Sequence, residues 1–151
     1  MILISHRGNI NTIKPHLENT KEYIQAAIDL GYDVEIDVRS VDGVLFLGHD
    51  TPDYEVCIEW LLERKDNLWI HCKNFDSLSE LLSCDLRVFF HEKEEYSIIS
   101  NKFIWAHNLK LTNNKCIIPL LDISDIDSWL STNVLGICSD YIQTCRRRFC
   151  E

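Results

Sequence analysis

Residues 31–50 read GYDVEIDVRSVDGVLFLGHD. VEIDV is β-rich and carries Glu35 and Asp37 two residues apart, so in a strand both carboxylates point the same way. Asp42-Gly43 is a hairpin signal, after which VLFLGHD returns. His49 comes close to Asp37 only if that hairpin folds back toward the same rim. A carboxylate at a strand end is ordinarily solvated or paired with a neighbour such as Arg39. Glu35 is different, because it lies between Val34 and Ile36 in a strand expected to be covered on both faces. Burying it without a partner would cost about several kcal/mol, so the position calls for a cation or strong donors. Two oxygen donors on one face suit a hard divalent ion such as Mg²⁺ or Ca²⁺.

Outward from this stretch the chain alternates strands with helices. ILIS is a short strand, and ENTKEYIQAAIDLG is a helix with Tyr23, Ile24, Ala27, Ile28 and Leu30 at helical spacing and Gly31 as its C-terminal cap. EVCIEWLLERK reads as a helix, LWIHC as a buried strand, SLSELLS as a short helix and RVFFH as a strand. FIWAH, CIIPLLD and VLGICSD follow as strands, with ISDIDSWLS a helix between the last two. Crossovers of about a dozen residues permit parallel pairing. The expected class is α/β, a reduced TIM-like (β/α) barrel of mostly parallel strands. A complete barrel takes about 250 residues, so some outer helices should be missing from a chain of 151.

Residues 1–151, 46% of them apolar, suffice for a single domain with one continuous core. The formal charge of −9 argues against a general nucleic-acid surface. No signal-like segment and no apolar run of about 20 residues is present, so no stable membrane insertion is expected and the chain reads as soluble and cytoplasmic. The seven cysteines are odd in number and lie mostly in apolar runs, which favours reduced, buried thiols. The pair Cys145 and Cys150, flanking RRRF, has no partner pair for zinc and reads as part of a solvated basic terminus.

Ionisable residues end the apolar runs: His6, Asp37, His71, His91, His107, Asp122 and Asp140. In parallel α/β architectures the C-terminal strand ends meet on one rim, where active sites form. His71 and Lys73 share a face, as Glu35 and Asp37 do. His91, His107 and Trp105 read as rim packing that could line a leaving-group pocket. Trp60, Trp69, Phe89 and Phe90 have core spacing, and His16 belongs to an exposed loop.

SHRGN, then ENT, VEIDV, DG and LGHD, in that order, resemble the glycerophosphodiester phosphodiesterase family, within the wider group that includes the phosphatidylinositol-specific phospholipases C. The match is densest over residues 4–50 and continues loosely through HCKN and ICSDYI. The resemblance implies a metal-dependent phosphoric diester hydrolase acting on a small phosphodiester. His6 and His49 would be its catalytic histidines, Arg7 and Lys73 its phosphate contacts, and Glu35 and Asp37 its metal ligands, with Glu18 in support. His71 stands where the family usually carries Glu. It either binds the metal, moving preference toward Mn²⁺ or Zn²⁺, or hydrogen-bonds the substrate. Pro15 lies two residues earlier than the family's proline. The nucleophile is either a vicinal hydroxyl of the substrate or water. Two rival readings stand beside this one. One is a barrel that binds a phosphorylated ligand without turnover. The other is an enzyme for phospholipid or polymer-linked phosphodiesters, which would want an apolar lip that the short loops do not offer. The sequence does not indicate an oligomeric state.

Overall fold

The computed structural model describes residues 1–108, 110–129 and 133–150. In chain order the elements are β1 (Ile2–His6), α1 (Lys21–Asp29), β2 (Asp33–Val41), β3 (Val44–Leu47), β4 (Tyr54–Glu55), α2 (Ile58–Leu62), β5 (Leu68–Cys72), α3 (Phe75–Leu81), β6 (Val88–Phe89), β7 (Tyr96–Ile98), β8 (Ile104–Ala106), β9 (Cys116–Pro119), a 3₁₀ segment (Ile123–Trp129), β10 (Gly136–Ser139) and α4 (Ile142–Phe149).

All ten strands join one mixed sheet ordered β4-β3-β2-β1-β10-β9-β8-β7, with β5 on the other edge of β2 and β6 beyond it. The pairs β1–β2, β1–β10, β9–β10, β8–β9, β2–β5 and β5–β6 are parallel. β2–β3, β3–β4 and β7–β8 are antiparallel. The expected reduced TIM-like barrel does not form: the sheet curls into a half-barrel, and no ladder joins β6 to β8 among the described residues. The physical reason lies after residue 82. The intervals there are too short for a covering helix at every crossover, and the β6–β8 link is spent on the antiparallel strand β7.

Alternation along the strands builds two surfaces. On the outer one, Val34, Ile36 and Val38 of β2 and Leu68 and Ile70 of β5 pack with Ile24 and Ala27 of α1, Leu61 of α2 and Leu81 of α3. A second outer cluster joins Cys116, Ile118 and Ile137 to Ile142 and Cys145 of α4. Inside the curl, Ile4, Trp69, Phe89, Trp105, Ile117 and Cys138 form a third cluster from six strands. Phe89 stacks on Trp105 with centroids 4.5 Å apart, so side chains close the seam that the backbone leaves open. Burying this much aromatic surface contributes about 1.5–3 kcal/mol per large side chain.

Several expected elements are shorter than read. The helix foreseen over EVCIEWLLERK begins only at Ile58, because Tyr54–Glu55 pairs with Phe46–Leu47. The first helix starts at Lys21 rather than Glu18. Asn19 has φ 60°, outside the helical range, and the Thr20 side chain accepts the Tyr23 N–H as the N-cap. RVFFH contributes just Val88–Phe89 to the sheet, and Phe90 is exposed rather than packed. ISDIDSWLS is 3₁₀ rather than α-helical through Trp129, and its last two positions lie outside the described residues. All seven cysteines are free. Cys72, Cys116, Cys138 and Cys145 are buried as expected, whereas Cys57 and Cys150 are exposed. No helix among the described residues is long and apolar enough to cross a membrane.

Candidate active site

Ladder register brings the ionisable groups together. His6 of β1 lies opposite Glu35 of β2, and Asp37 lies opposite His71 of β5. All four project into the curl, above the apolar cluster of Ile4, Trp69 and Phe89. Glu35, Asp37 and His71 are buried. Lys73, two residues beyond His71, places Nζ 3.7 Å from Asp37 Oδ1.

Asp37 is the hub. Its Oδ2 is 2.9 Å from Arg7 Nε and accepts a hydrogen bond from Asn19 Nδ2 at 3.1 Å, while the Asp37 N–H donates to Asn19 Oδ1 at 3.0 Å. Arg7 Nη1 also reaches Glu18 Oε2 at 3.2 Å, and Asn9 donates to both Glu18 Oε1 and Asp140 Oδ1 at 2.8 Å. Arg7 and Asn19 both adopt positive φ, 54° and 60°. Such left-handed backbone carries a strain of about 1–3 kcal/mol for each residue, here opposed by the hydrogen bonds and ion pairs to Asp37.

Both histidines have Nδ1 on a carboxylate, His6 in a largely buried pair and His49 in an exposed one. His6 Nδ1 is 2.8 Å from Asp140 Oδ1, and His49 Nδ1 is 2.8 Å from Asp50 Oδ1. Each carboxylate favours the Nδ1–H form and leaves Nε2 for proton transfer. His49 stands just beyond β3 on a turn that does fold back, with the Gly48 N–H donating to the Asp37 carbonyl at 3.1 Å. Gly48 has φ 146°, and a Cβ there would lie 2.1 Å from the Thr51 carbonyl oxygen, so only glycine fits. The His49 carbonyl in turn accepts from Arg39, which is therefore a loop anchor rather than a partner of Glu35.

Charge crowding sets the protonation states. Burial first, then the neighbouring Asp37, push the Glu35 carboxyl well above its ordinary range, against the pull of His6 and Arg7. Burial alone would do the same to Asp37, but the adjacent His71 nitrogen, Arg7 and Lys73 prevail and hold it well below. Burial also works against the His6 cation, yet Asp140 and Glu35 outweigh it and raise the imidazole. For His71 burial wins, and the ring is pushed down despite Asp37.

His6, Arg7, Glu35, His49, His71 and Lys73 line one cavity of about 510 Å³. Asp37 lies beneath its floor, and Glu18 sits behind Arg7 in an adjoining recess of about 180 Å³ that His49 also borders. The expected residues are thus brought together, although the barrel expected to do so is not the architecture present. His91, Trp105 and His107 line the same cavity beside Phe90 and Leu121. Three positioning residues went unassigned in the sequence: Asn9, Asn19 and Asp140. Asn9 and Asn19 sit inside SHRGN and ENT, and Asp140 ends an apolar run, so position gave a signal but no role.

A metal is a fair test of the acidic cradle. Ligand atoms of Glu35, Asp37 and His71 lie within 4.8 Å of one another. Glu35 Oε2 is buried without a hydrogen-bond partner among the described residues, 3.8 Å from His6 Nε2, whereas Asp37 Oδ1 has His71 Nδ1 at 3.2 Å and Lys73 Nζ at 3.7 Å. A buried, unsatisfied carboxylate oxygen is what a divalent cation would satisfy, and the donor set of two carboxylates and one imidazole fits such an ion. Comparison of the chain with protein-family models, with curated proteins and with solved structures returns no match.

Proposed function

We propose that the protein is a metal-dependent phosphodiesterase, similar to the glycerophosphodiester phosphodiesterases, that cleaves a small glycerophosphodiester-like substrate. The observation that supports this reading best is the pairing of two imidazoles on one cavity, each with Nδ1 on a carboxylate, beside Arg7 and Lys73. Simple phosphate binding needs the cations and has no use for two imidazoles oriented in this way.

Glu35, Asp37 and His71 would hold the divalent ion, Mg²⁺ or Ca²⁺ by their two carboxylates or Mn²⁺ or Zn²⁺ by the imidazole, and it would neutralise phosphate charge and acidify a bound hydroxyl. Arg7 and Lys73 bind the non-bridging oxygens and stabilise the charge that grows on them. One imidazole takes the proton of the attacking hydroxyl, from water or from the substrate itself, as the other protonates the leaving alkoxide. Asp140 and Asp50 fix which ring nitrogen each presents. Phe90, Trp105, Pro119 and Leu121 give the leaving alcohol a partly apolar wall.

The test is hydrolysis of bis(p-nitrophenyl) phosphate and of a panel of glycerophosphodiesters, with Mg²⁺, Ca²⁺, Mn²⁺ or EDTA. Turnover should require the metal and should fall about 10²–10⁴-fold in His6→Ala and in His49→Ala. Metal-dependent turnover that neither substitution changes would remove both histidines from the mechanism. Tight phosphate binding with no turnover under any condition would leave a phosphorylated-ligand-binding protein.

A further inference from the structure

The rim above the open seam carries two histidines that the proposed chemistry does not use. His91 follows β6 and His107 follows β8, two strands that no ladder joins among the described residues. Below them Phe89 and Trp105 stack across the seam, and the Ser100 N–H donates to the Val88 carbonyl at 2.9 Å. At the rim itself the two rings meet nitrogen to nitrogen, with His91 Nε2 and His107 Nε2 3.3 Å apart and the ring planes 66° from each other.

That spacing is long for a hydrogen bond between neutral rings, whose usual range ends near about 3.2 Å. It matches another geometry. Two imidazole nitrogens bound to one tetrahedral ion at about 2.0–2.1 Å are separated by the tetrahedral edge, about 3.3–3.4 Å. The same two histidines border a second hollow of about 640 Å³ on the solvent side, which Glu92, Glu94 and Glu95 also line; the Glu94 carboxylate there accepts the Glu92 and Lys93 N–H groups, and among the described residues no third ligand atom groups with the two nitrogens. Ring stacking at 4.2 Å between His91 and His71 holds the first of the pair in place.

We propose that His91 and His107 form a second cation site, distinct from Glu35, Asp37 and His71, that takes a late first-row transition ion such as Zn²⁺ across the seam between β6 and β8. Paired imidazoles select such ions over Mg²⁺ and Ca²⁺, whose preferred ligands are oxygens. Two protein nitrogens leave coordination positions open for water, for a carboxylate of the 92–95 loop or for an incoming anion. The ion would bridge two strands that only side chains and a short loop now connect, so its binding should tighten the fold. Neither the site nor its test depends on phosphodiester hydrolysis.

The experiment is calorimetric titration of the full chain with Zn²⁺ in excess Mg²⁺, read with thermal unfolding, for the wild type, His107→Ala, His91→Asn and Glu35→Gln. His107 is exposed at the rim, so its truncation should leave the fold intact. The wild type and Glu35→Gln should take up one Zn²⁺ equivalent that both histidine variants lose, and the rise in melting temperature on zinc addition should shrink in those two variants alone. Zinc uptake and thermal shift unchanged in His107→Ala and His91→Asn, or abolished instead by Glu35→Gln, would overturn the proposal.

Discussion

The two sides of the curled sheet solve different problems. On one side β1, β2 and β5 form long ladders, β2 running nine residues and β5 buried at all five of its positions. Their inner face carries Glu35, Asp37 and His71, tied to Arg7, Asn19 and Lys73. On the other side β6, β7 and β8 have two or three residues each, a 3₁₀ segment stands where a crossover helix was expected, and the inner face carries aromatic rings beside imidazoles whose pKa burial lowers. Buried charge is costly unless its partners are held rigidly, and regular backbone pairing supplies that rigidity. Where the interior is aromatic, packing suffices and the backbone can be irregular.

The contrast can be broken first at its most charged point. Asp37→Ala removes the group that offsets Arg7 and Lys73, and should cost about 3–5 kcal/mol in urea unfolding as well as eliminate turnover. A loss below about 1 kcal/mol would mean that the cluster is solvated rather than buried. On the aromatic side, Trp105→Ala should cost about 3 kcal/mol, because the stack on Phe89 closes a seam that no backbone ladder spans among the described residues. Hydrogen exchange should then report the loosening in β6 and β8 before it reaches β1 and β2.

Acid should separate the two sides with a smaller effect. Burial, with His71 and His107 nearby, pushes His91 down to about 4 from an ordinary 6.5, and burial pushes His107 down as well. The unfolded chain therefore takes up protons first as pH falls. The stability these rings contribute is full above about 6.5 and is lost as pH drops toward 4. His6 has the opposite sign: its raised value adds stability that is full below 6.5 and fades as pH rises through the folded pKa. The urea midpoint of His91→Phe, which keeps the stacking but not the titration, should fall less between pH 7.5 and 5 than that of the wild type. The smallest expected change is at His49. Its ring is 39% exposed and its carboxylate partner Asp50 is 89% exposed, so His49→Ala should alter stability by less than about 0.5 kcal/mol while its effect on turnover is large.

Much of the charged side was legible in the sequence for a simple reason. A period of two places Glu35 with Asp37 on one face of VEIDV, and His71 with Lys73 on one face of LWIHCK, without knowledge of the pairing, and Asp42-Gly43 announces the hairpin; that the two sets face each other follows from the β2–β5 register. The other side was legible only in part. RVFFH and FIWAH read as strands and hold β6 and β8, but the three-residue β7 leaves no periodic signal, and whether β6 pairs with β8 depends on how a linker is used rather than on its composition. The roles of Asn9, Asn19 and Asp140 were hidden too, since hydrogen bonds across 9, 18 or 134 residues belong to the folded sheet and to no local pattern.

That last contact has a consequence for how the protein comes into being. β1 pairs with β10, and His6 meets Asp140 from 134 positions away, so one edge of β1 waits for its neighbour until β10 has been synthesised. The hairpin of β2 and β3 can form on the ribosome within seconds of emerging, yet a nascent chain arrested before residue 136 would hold an unclasped first strand and an unanchored imidazole. The contact between His6 and Asp140 should therefore form late and all at once, with the arrival of β10.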